Sequence, residues 1–275
     1  MLLIYDFNKI GMEFWLAPME GVTDCAFRTL CYKYGADLTF TPMARVDSIL
    51  RNKNEARKIF DLNNSTPTAI QLMLVKLESA KEFVKNFDSF NINPKIIDIN
   101  AGCPSPEIIK SGGGAALMKR VTRVQELVTE LKKLELPVSV KLRLGLSEYE
   151  AGKKTYLNLI KNVDADYFIV HARHAKQESD EEPDWKIFED CVRTGKRIVA
   201  NGGISKRDDL KLFEYLGIKE VMIGTAALRN PSVFRHLKGQ DFEKMEKIKY
   251  DYLRLADDYG SKFKDDVLEI FKRTY

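Results

Sequence analysis

The sequence predicts an α/β fold, a (β/α)8 or TIM barrel that is followed by a short C-terminal helical segment. Short apolar runs rich in β-branched residues alternate with longer amphipathic stretches, which is typical of βαβ units around a parallel sheet. Eight such runs occur, and eight units favour a closed barrel over an open doubly wound sheet. The predicted strands are residues 14–18, 38–41, 69–73, 96–100, 138–141, 167–171, 197–200 and 220–223.

Helical signals fall between these strands, as a barrel requires. Residues 25–33, 122–134 and 207–216 have the amphipathic pattern of helices. Asp24 suits the N-cap of the first, because a side-chain carboxylate accepts hydrogen bonds from the free N–H groups at a helix start. Gly217 directly follows the third and predicts a C-cap glycine.

The end of the chain has a different pattern from the barrel. Residues 238–275 predict one or two helices, with apolar residues recurring between Tyr252 and Tyr259 and no net charge. We therefore assign residues 1–235 to a catalytic barrel and residues 236–275 to a short helical tail.

Composition and charge restrict the class of protein. With 275 residues, 44% apolar and 31% charged, the chain is an ordinary globular protein, which excludes disorder and collagen-like architecture. The sequence contains no run of 18 apolar residues, so it predicts no membrane span. Residues 1–9 lack the features of a signal peptide. These observations predict a cytoplasmic protein without a membrane partner. The net charge of +4 permits a nucleic-acid partner but does not by itself indicate one.

The cysteine and histidine residues do not predict a metal site. The chain has four cysteines without a CxxC pair and only three histidines, so a zinc site is not expected and a disulfide framework is not needed at this length.

Polar or glycine-rich residues follow almost every predicted strand. In a (β/α)8 barrel the carboxyl ends of the strands form the active site. One polar residue at a strand end is usually a cap, but a nearly complete ring of them predicts a functional pocket. The ring comprises Pro18, Met19, Glu20, Gln71, Asn100, Lys141, His171, Asn201, Gly202, Gly203, Gly224 and Thr225.

Several members of this ring predict a bound phosphate and a flavin. The loops after the seventh and eighth strands are the usual phosphate site of such barrels, although ordinary turn glycines would look the same. Lys141 suits the negatively charged edge of a reduced flavin; the alternative is a lysine packed on the barrel rim. Gln71 and Asn100 offer both donors and acceptors to a flavin ring edge, or alternatively to neighbouring strand ends.

Cys103 lies in a loop, between Gly102 and Pro104. A cysteine thiol is ordinarily protonated at pH 7 and can act as a general acid. The alternative, a small buried hydrophobe, is the better interpretation for the other three cysteines. The glycine-rich stretch 110–115 predicts a moving lid beside it.

A second polar cluster follows the sixth strand. It comprises His171, Arg173, His174 and Gln177. His171 can donate to a flavin or a substrate carbonyl, and Arg173 can bind a phosphate or a base edge; the alternative is a set of rim residues in salt bridges.

These motifs together, in this chain order, resemble the tRNA-dihydrouridine synthases. They are APMEGVTDCAFR at 17–28, QL at 71–72, DINAGCP at 98–104, GGGA at 112–115, VKLRLG at 140–145, HARHAKQ at 171–177 with DW at 184–185, ANGGI at 200–204 and IGTAALRNP at 223–231. The likeness covers residues 14–235. It implies an FMN-binding barrel, NADPH (or NADH) as reductant, tRNA as substrate and partner, and a helical domain that clasps the tRNA; we expect a monomer.

The resemblance also implies roles for individual residues. Cys103 is the implied proton donor in the reduction of a uracil ring that leaves the tRNA stack. The implied FMN contacts are Pro18, Met19, Glu20, Gln71, Lys141, His171, Asn201, Gly202, Gly203, Gly224 and Thr225. The implied substrate contacts are Asn100, Arg173 and Gln177.

The chain departs from the family pattern at several places. Ala175 stands where some members carry a second basic residue, Thr225 replaces an arginine of the eighth-strand loop, and the tail of about 40 residues is short for the family. These departures leave two alternatives open: a flavoprotein of the same fold that reduces a free small molecule such as a pyrimidine, and a non-catalytic RNA-binding module.

Overall fold

The computed structural model describes residues 11–272 and confirms a barrel of eight parallel strands. The strands are β1 (Glu13–Leu16), β2 (Thr39–Arg45), β3 (Thr68–Met73), β4 (Ile97–Ala101), β5 (Val138–Leu142), β6 (Tyr167–His171), β7 (Ile198–Asn201) and β8 (Glu220–Ile223). From β2 to β8 each strand pairs with the next one in the sequence, and β1 pairs with β8. A parallel bridge between Trp15 and Leu38 closes the ring, where the Leu16 N–H donates to the Leu38 carbonyl at 2.8 Å.

All eight predicted strands are present, and β2 differs most from its predicted bounds. It continues to Arg45, whereas the sequence pattern ends at residue 41. The register of β2 against β3 shifts between Phe40 and Met43, where Pro42 cannot donate a ladder hydrogen bond. A bulge at this proline lets the strand continue beyond it.

The helices surround the barrel. They are α1 (Cys25–Lys33), α2 (Val46–Arg51), α3 (Lys53–Phe60), α4 (Leu77–Asn86), α5 (Pro106–Lys110), α6 (Val121–Leu131), α7 (Glu148–Gly152), α8 (Thr155–Asn162), α9 (Ile187–Val192), α10 (Arg207–Tyr215), α11 (Thr225–Arg229), α12 (Val233–Leu237), α13 (Met245–Asp258) and α14 (Lys264–Lys272). The predicted caps are confirmed: Asp24 accepts from the Phe27 N–H at 3.0 Å, and Gly217 has a φ of +71° beyond α10. The predicted helix 122–134 is α6 continued by a short 3-10 turn.

The barrel interior has an apolar floor below a polar layer. Successive side chains of a strand point to opposite faces of the sheet. The outward ones pack against the helices, and the inward ones form a separate cluster that includes Trp15, Phe40, Ala69, Ile169, Val199 and Met222. Two residues beyond Ala69, Ile169 and Val199 on the same strands lie Gln71, His171 and Asn201, and these side chains face the mouth of the barrel.

The helical tail packs against α1. Two helices, α13 and α14, form its main part, which confirms the two-helix alternative. The Tyr34 hydroxyl donates to the Asp251 carboxylate at 2.8 Å, and Lys33 forms an ion pair with the same carboxylate. The Tyr252 ring packs edge-on against Phe27.

Residues 273–275 of the predicted tail lie outside the described residues. Residues 1–10, which include the segment compared with signal peptides, also lie outside them. The division of the chain at residue 235 stays a prediction.

Across residues 11–272, none of the helices is both long enough and apolar enough to cross a bilayer.

A buried arginine joins α1 to the end of α3. Arg28 is 1% exposed, and burial lowers the pKa of its guanidinium. One terminal nitrogen donates to the Thr23 carbonyl at 2.6 Å. The other donates to the Phe60 and Asp61 carbonyls at 3.1 and 2.5 Å. The side chain therefore satisfies three backbone acceptors, and two of them, the Thr23 and Phe60 carbonyls, belong to buried residues.

Replacing Arg28 with methionine is expected to lower the free energy of unfolding by about 3 kcal/mol or more, because each buried carbonyl left without a donor costs roughly 1–3 kcal/mol. Urea denaturation measures this loss. Arg193→Met is the control, since Arg193 is exposed and pairs only with surface carboxylates; its expected change is within about 0.5 kcal/mol. Equal losses in both variants would contradict the role of Arg28.

Candidate active site

A cavity of about 870 Å³ opens at the carboxyl ends of the strands, and all eight strands or the loops that follow them contribute to its wall. This volume lies in the usual range for cofactor and ligand sites. Fourteen of the fifteen predicted site residues line it: Pro18, Met19, Glu20, Gln71, Asn100, Cys103, Lys141, His171, Arg173, Asn201, Gly202, Gly203, Gly224 and Thr225. The exception is Gln177, whose side-chain oxygen accepts from the His174 N–H at 2.9 Å and shapes the loop behind the cavity.

A chain of hydrogen bonds supports the Cys103 loop from below. Asp98 is fully buried and accepts from Ser139 at 2.6 Å and from the Gln71 amide nitrogen at 2.7 Å. The Gln71 oxygen accepts from the Asn100 nitrogen at 2.8 Å. The Asn100 oxygen then accepts the backbone N–H of Cys103 at 2.9 Å. Because the backbone N–H groups of Gly102 and Cys103 both donate to the Asn100 oxygen, the Asn100 nitrogen must face Gln71, and this fixes the orientation of both amides.

The sequence left two interpretations of Gln71 and Asn100 open: contact with a flavin ring edge, or hydrogen bonds to neighbouring strand ends. In the structure the two side chains bond to each other, and Gln71 also bonds to Asp98 on the neighbouring strand. Each NH2 group in this chain uses one hydrogen and retains a second. Both residues also line the cavity, so they can position the Cys103 loop and contact a ligand.

Lys141 is a cation held inside the mouth of the barrel. Its ammonium donates to the Asn201 side-chain oxygen at 3.2 Å, and the Asn201 nitrogen donates to the Met222 carbonyl at 2.8 Å. Burial, and then the nearby Arg143 charge, lower the pKa of Lys141 to about 8. Burial also raises the pKa of Asp98 beneath it. Lys141 is therefore still mostly charged at pH 7 but loses its charge within the accessible pH range.

His171 is a neutral hydrogen-bond donor at the same mouth. Burial, followed by the charges of Lys141, Arg143 and Arg173, lowers its pKa well below the ordinary value. Its Nε2 lies 3.0 Å from an Arg173 nitrogen, and because a guanidinium only donates, Nε2 must accept. The ring proton is therefore on Nδ1.

Close contacts explain the two glycines after β7. A Cβ on Gly202 would lie 2.7 Å from the His171 ring, and one on Gly203 would lie 2.8 Å from Pro183. Both residues have positive φ values, of +110° and +75°, which side chains disfavour. The Trp185 indole N–H donates to the Gly202 carbonyl at 2.8 Å and holds this loop in place.

Several lining residues were not assigned from the sequence. They are Met43, Arg143, Trp185, Lys206, Arg229 and the acidic run at 180–182. Arg143 had a visible signal, because it follows Lys141 by two residues and the strand alternation puts both toward the mouth. Met43 lies on β2, beyond the predicted end of that strand. The others come from loops and from α11, whose approach to the cavity depends on the folded chain.

A comparison with known protein families decides the assignment. The family model described as "Dihydrouridine synthase (Dus)" matches residues 15–268. The chain belongs to the dihydrouridine synthase family. Membership of this family makes it a flavin-dependent oxidoreductase.

Named relatives agree with this family assignment. A probable tRNA-dihydrouridine synthase of Treponema pallidum is 30% identical over 241 residues, which cover 82% of this chain and 69% of the relative. One of Aquifex aeolicus is 29% identical, with 88% and 78% covered. The human tRNA-dihydrouridine(47) synthase [NAD(P)(+)]-like protein is 28% identical, and this chain spans only about two fifths of its length (39%).

Solved structures support the fold alone. Morphinone reductase superposes with a TM-score of 0.55 at 10% identity, covering 87% of this chain and 88% of that one. This similarity confirms the barrel architecture without bearing on the substrate.

The glycine-rich stretch of the dihydrouridine synthase motif set is not a lid. Gly112, Gly113 and Gly114 are all buried, and the Ala115 N–H donates to the Cys103 carbonyl at 3.0 Å. The prediction of a moving lid at 110–115 is therefore wrong. These glycines allow the chain to pack closely beneath the Cys103 loop, where side chains would not fit.

Gly114→Ala tests this packing. A Cβ there would lie 2.6 Å from the Cys103 carbonyl oxygen, and Gly114 has a φ of +53°, so we expect a loss of about 1–3 kcal/mol in unfolding free energy and a displaced Cys103 loop. Gly152→Ala is the matched control, because a Cβ on Gly152 would meet no other part of the fold within 4 Å. Thermal unfolding and thiol accessibility measure the two effects, and equal behaviour of the two variants would contradict the proposed packing.

Proposed function

We propose that the chain is a tRNA-dihydrouridine synthase, which reduces the C5–C6 double bond of specific uridines in tRNA. FMN, reduced by NADPH or NADH, serves as the hydride source, and Cys103 serves as the proton donor. The observation that carries the proposal is that Cys103 shares one cavity with Lys141 and the glycine loops after β7 and β8. The names of the relatives support tRNA as the substrate and NAD(P) as the nicotinamide cofactor.

The residues around the cavity fit FMN. The Gly202–Gly203 backbone and the start of α11 at Thr225 offer N–H groups to a phosphate. Arg229 lines the cavity from the same helix and supplies a cation where Thr225 replaces the usual arginine. When bound, FMN supplies a two-electron hydride donor. Lys141 would stabilise negative charge on the reduced ring, and Gln71 and His171 would offer N–H donors to its edge.

Cys103 is placed to deliver a proton. It is partly exposed and lines the cavity, whereas Cys25, Cys31 and Cys191 are buried. Reduction of uracil adds a hydride at C6 and a proton at C5, and a cysteine thiol is a general acid suited to the second addition. Asn100 holds the backbone of Cys103, and so fixes where the thiol meets the base.

The substrate side of the cavity uses Arg173 and Asn100. Arg173 donates from Nε to the Glu181 carbonyl at 2.7 Å, and this contact fixes its guanidinium beside His171. A uridine must leave the tRNA stack to enter a cavity of this kind. Gln177 supports the loop through His174 instead of contacting the base.

One observation favours a second candidate, a reductase of free pyrimidines. Asp180, Glu181 and Glu182 line the mouth near Arg173, and carboxylates there repel an RNA backbone that approaches from that side. A small neutral base would enter past them without this penalty.

Anaerobic reoxidation distinguishes the two candidates. The purified protein should show a flavin absorption spectrum, and FMN should restore it after removal. The flavin is reduced, and either tRNA lacking dihydrouridine or free uridine is added. We expect rapid reoxidation with tRNA only; rapid reoxidation by uridine, with no benefit from tRNA, would select the second candidate. Tight tRNA binding by a protein that cannot bind FMN would instead indicate an RNA-binding module.

A further inference from the structure

An exposed ion pair lies at the rim of the cavity beside Cys103. Arg45 is the last residue of β2, and Met43, two residues before it, lines the cavity. The Arg45 Nη1 lies 2.7 Å from a carboxylate oxygen of Glu107. Glu107 is the second residue of α5, which begins three residues after Cys103. The pair therefore bridges β2 and the loop that carries the thiol.

The exposure of this pair allows Arg45 to exchange its partner. The Glu107 hydrogen bond raises the pKa of Arg45, so the guanidinium keeps its charge. The side chains of Arg45 and Glu107 are 46% and 73% exposed. An ion pair in that environment is weak and easily exchanged, and the guanidinium fork that binds a carboxylate also binds a phosphate.

Three of the other cations that line the cavity have different partners. Arg143 donates to the His174 carbonyl at 3.0 Å, Arg173 donates to the Glu181 carbonyl, and Lys141 donates to Asn201. These partners are neutral groups that orient the cation toward the interior. Arg45 differs because its partner at the solvent-exposed rim is an anion, which a phosphate can replace.

We propose that Arg45 binds a phosphodiester of the RNA strand next to the reduced uridine, and that Glu107 occupies Arg45 until RNA arrives. Only the base enters the cavity to reach Cys103, so the phosphates that flank it must lie at the rim where Arg45 stands. In the absence of RNA, the Glu107 carboxylate takes the place of the phosphate at Arg45. It thereby lowers the affinity of Arg45 for other anions. This inference rests on tRNA being the substrate.

Equilibrium binding of tRNA to the FMN-loaded protein tests the proposal, measured over a range of salt concentrations. Arg45→Gln is expected to weaken binding about tenfold and to reduce the slope of log K against log salt by about 1, as for one lost phosphate contact. Glu107→Gln is expected to tighten binding by about threefold, since it releases Arg45 from a surface pair. The gain from Glu107→Gln should shrink when Arg45→Gln is also present.

Arg193→Gln is the matched control, because Arg193 is an exposed arginine paired with surface carboxylates away from the cavity. It should change neither affinity nor slope. Damage to the fold cannot explain a tighter complex, so the Glu107→Gln result separates the proposal from misfolding. If Arg45→Gln and Glu107→Gln both behave like Arg193→Gln, the inference is overturned while the proposed function stands. If the unmodified protein does not bind tRNA, the proposed function fails and the inference fails with it.

Discussion

Replacing Cys103 with alanine should leave the flavin bound and reducible by NADPH but slow uracil reduction by about 10²–10⁴-fold, the usual contribution of a positioned general acid. The reason is that no other cysteine of the described chain reaches the cavity; Cys25, Cys31 and Cys191 are buried elsewhere. The measurement is single-turnover reoxidation of the reduced flavin by tRNA lacking dihydrouridine.

Two comparisons make the Cys103 result specific. Flavin reduction by NADPH in the same variant is the internal control, because that half-reaction needs no proton at the uracil ring. Cys103→Ser should remain slow, since a hydroxyl is a much weaker acid than a thiol. Normal turnover by Cys103→Ala would remove Cys103 from the mechanism.

Lys141→Ala should weaken FMN binding and slow flavin reduction by about 10²-fold or more, the typical cost of losing a preorganised charge in an active site. Lys141 is the cation that donates to Asn201 at the mouth of the barrel. FMN affinity from fluorescence titration and the rate of reduction by NADPH measure the two effects. Unchanged flavin behaviour would contradict the assigned role.

The pH dependence of flavin reduction follows from the same residue. Burial and Arg143 lower the pKa of Lys141 to about 8. A lysine is a cation below its pKa, so the contribution of the charge is complete at lower pH and lost as the pH rises through about 8. Lys141→Arg keeps the charge across this range and should lack the alkaline loss, even if its rate is lower. An unchanged alkaline loss in Lys141→Arg would assign the titration to another group.

The barrel and most of the cavity wall could be predicted from two regular patterns, the repeat of strand and helix along the chain and the alternation of side chains along each strand. Parallel strands bring their carboxyl ends to one mouth, and side-chain alternation determines which residue of each strand faces it. Asn100 and Lys141 are adjacent in register on β4 and β5, and His171 and Asn201 are adjacent on β6 and β7. Their proximity could therefore be expected without coordinates.

The errors arise where packing, not periodicity, determines the structure. A run of glycines reads equally well as a flexible lid or as a segment packed too tightly for side chains, and only the contact with the Cys103 carbonyl distinguishes them. Asp98 received no role of its own within the DINAGCP motif, because its role depends on the bonds to Gln71 and Ser139. Arg45 lies beyond a bulge that the sequence pattern reads as the end of the strand.

Product analysis tests most directly whether this chain makes dihydrouridine in tRNA. tRNA lacking dihydrouridine is incubated with the FMN-loaded protein and NADPH, digested to nucleosides and analysed by mass spectrometry. We predict that a defined uridine gains two hydrogens, and that this product is nearly absent with Cys103→Ala. Flavin turnover that leaves every uridine of the tRNA unchanged would contradict the account.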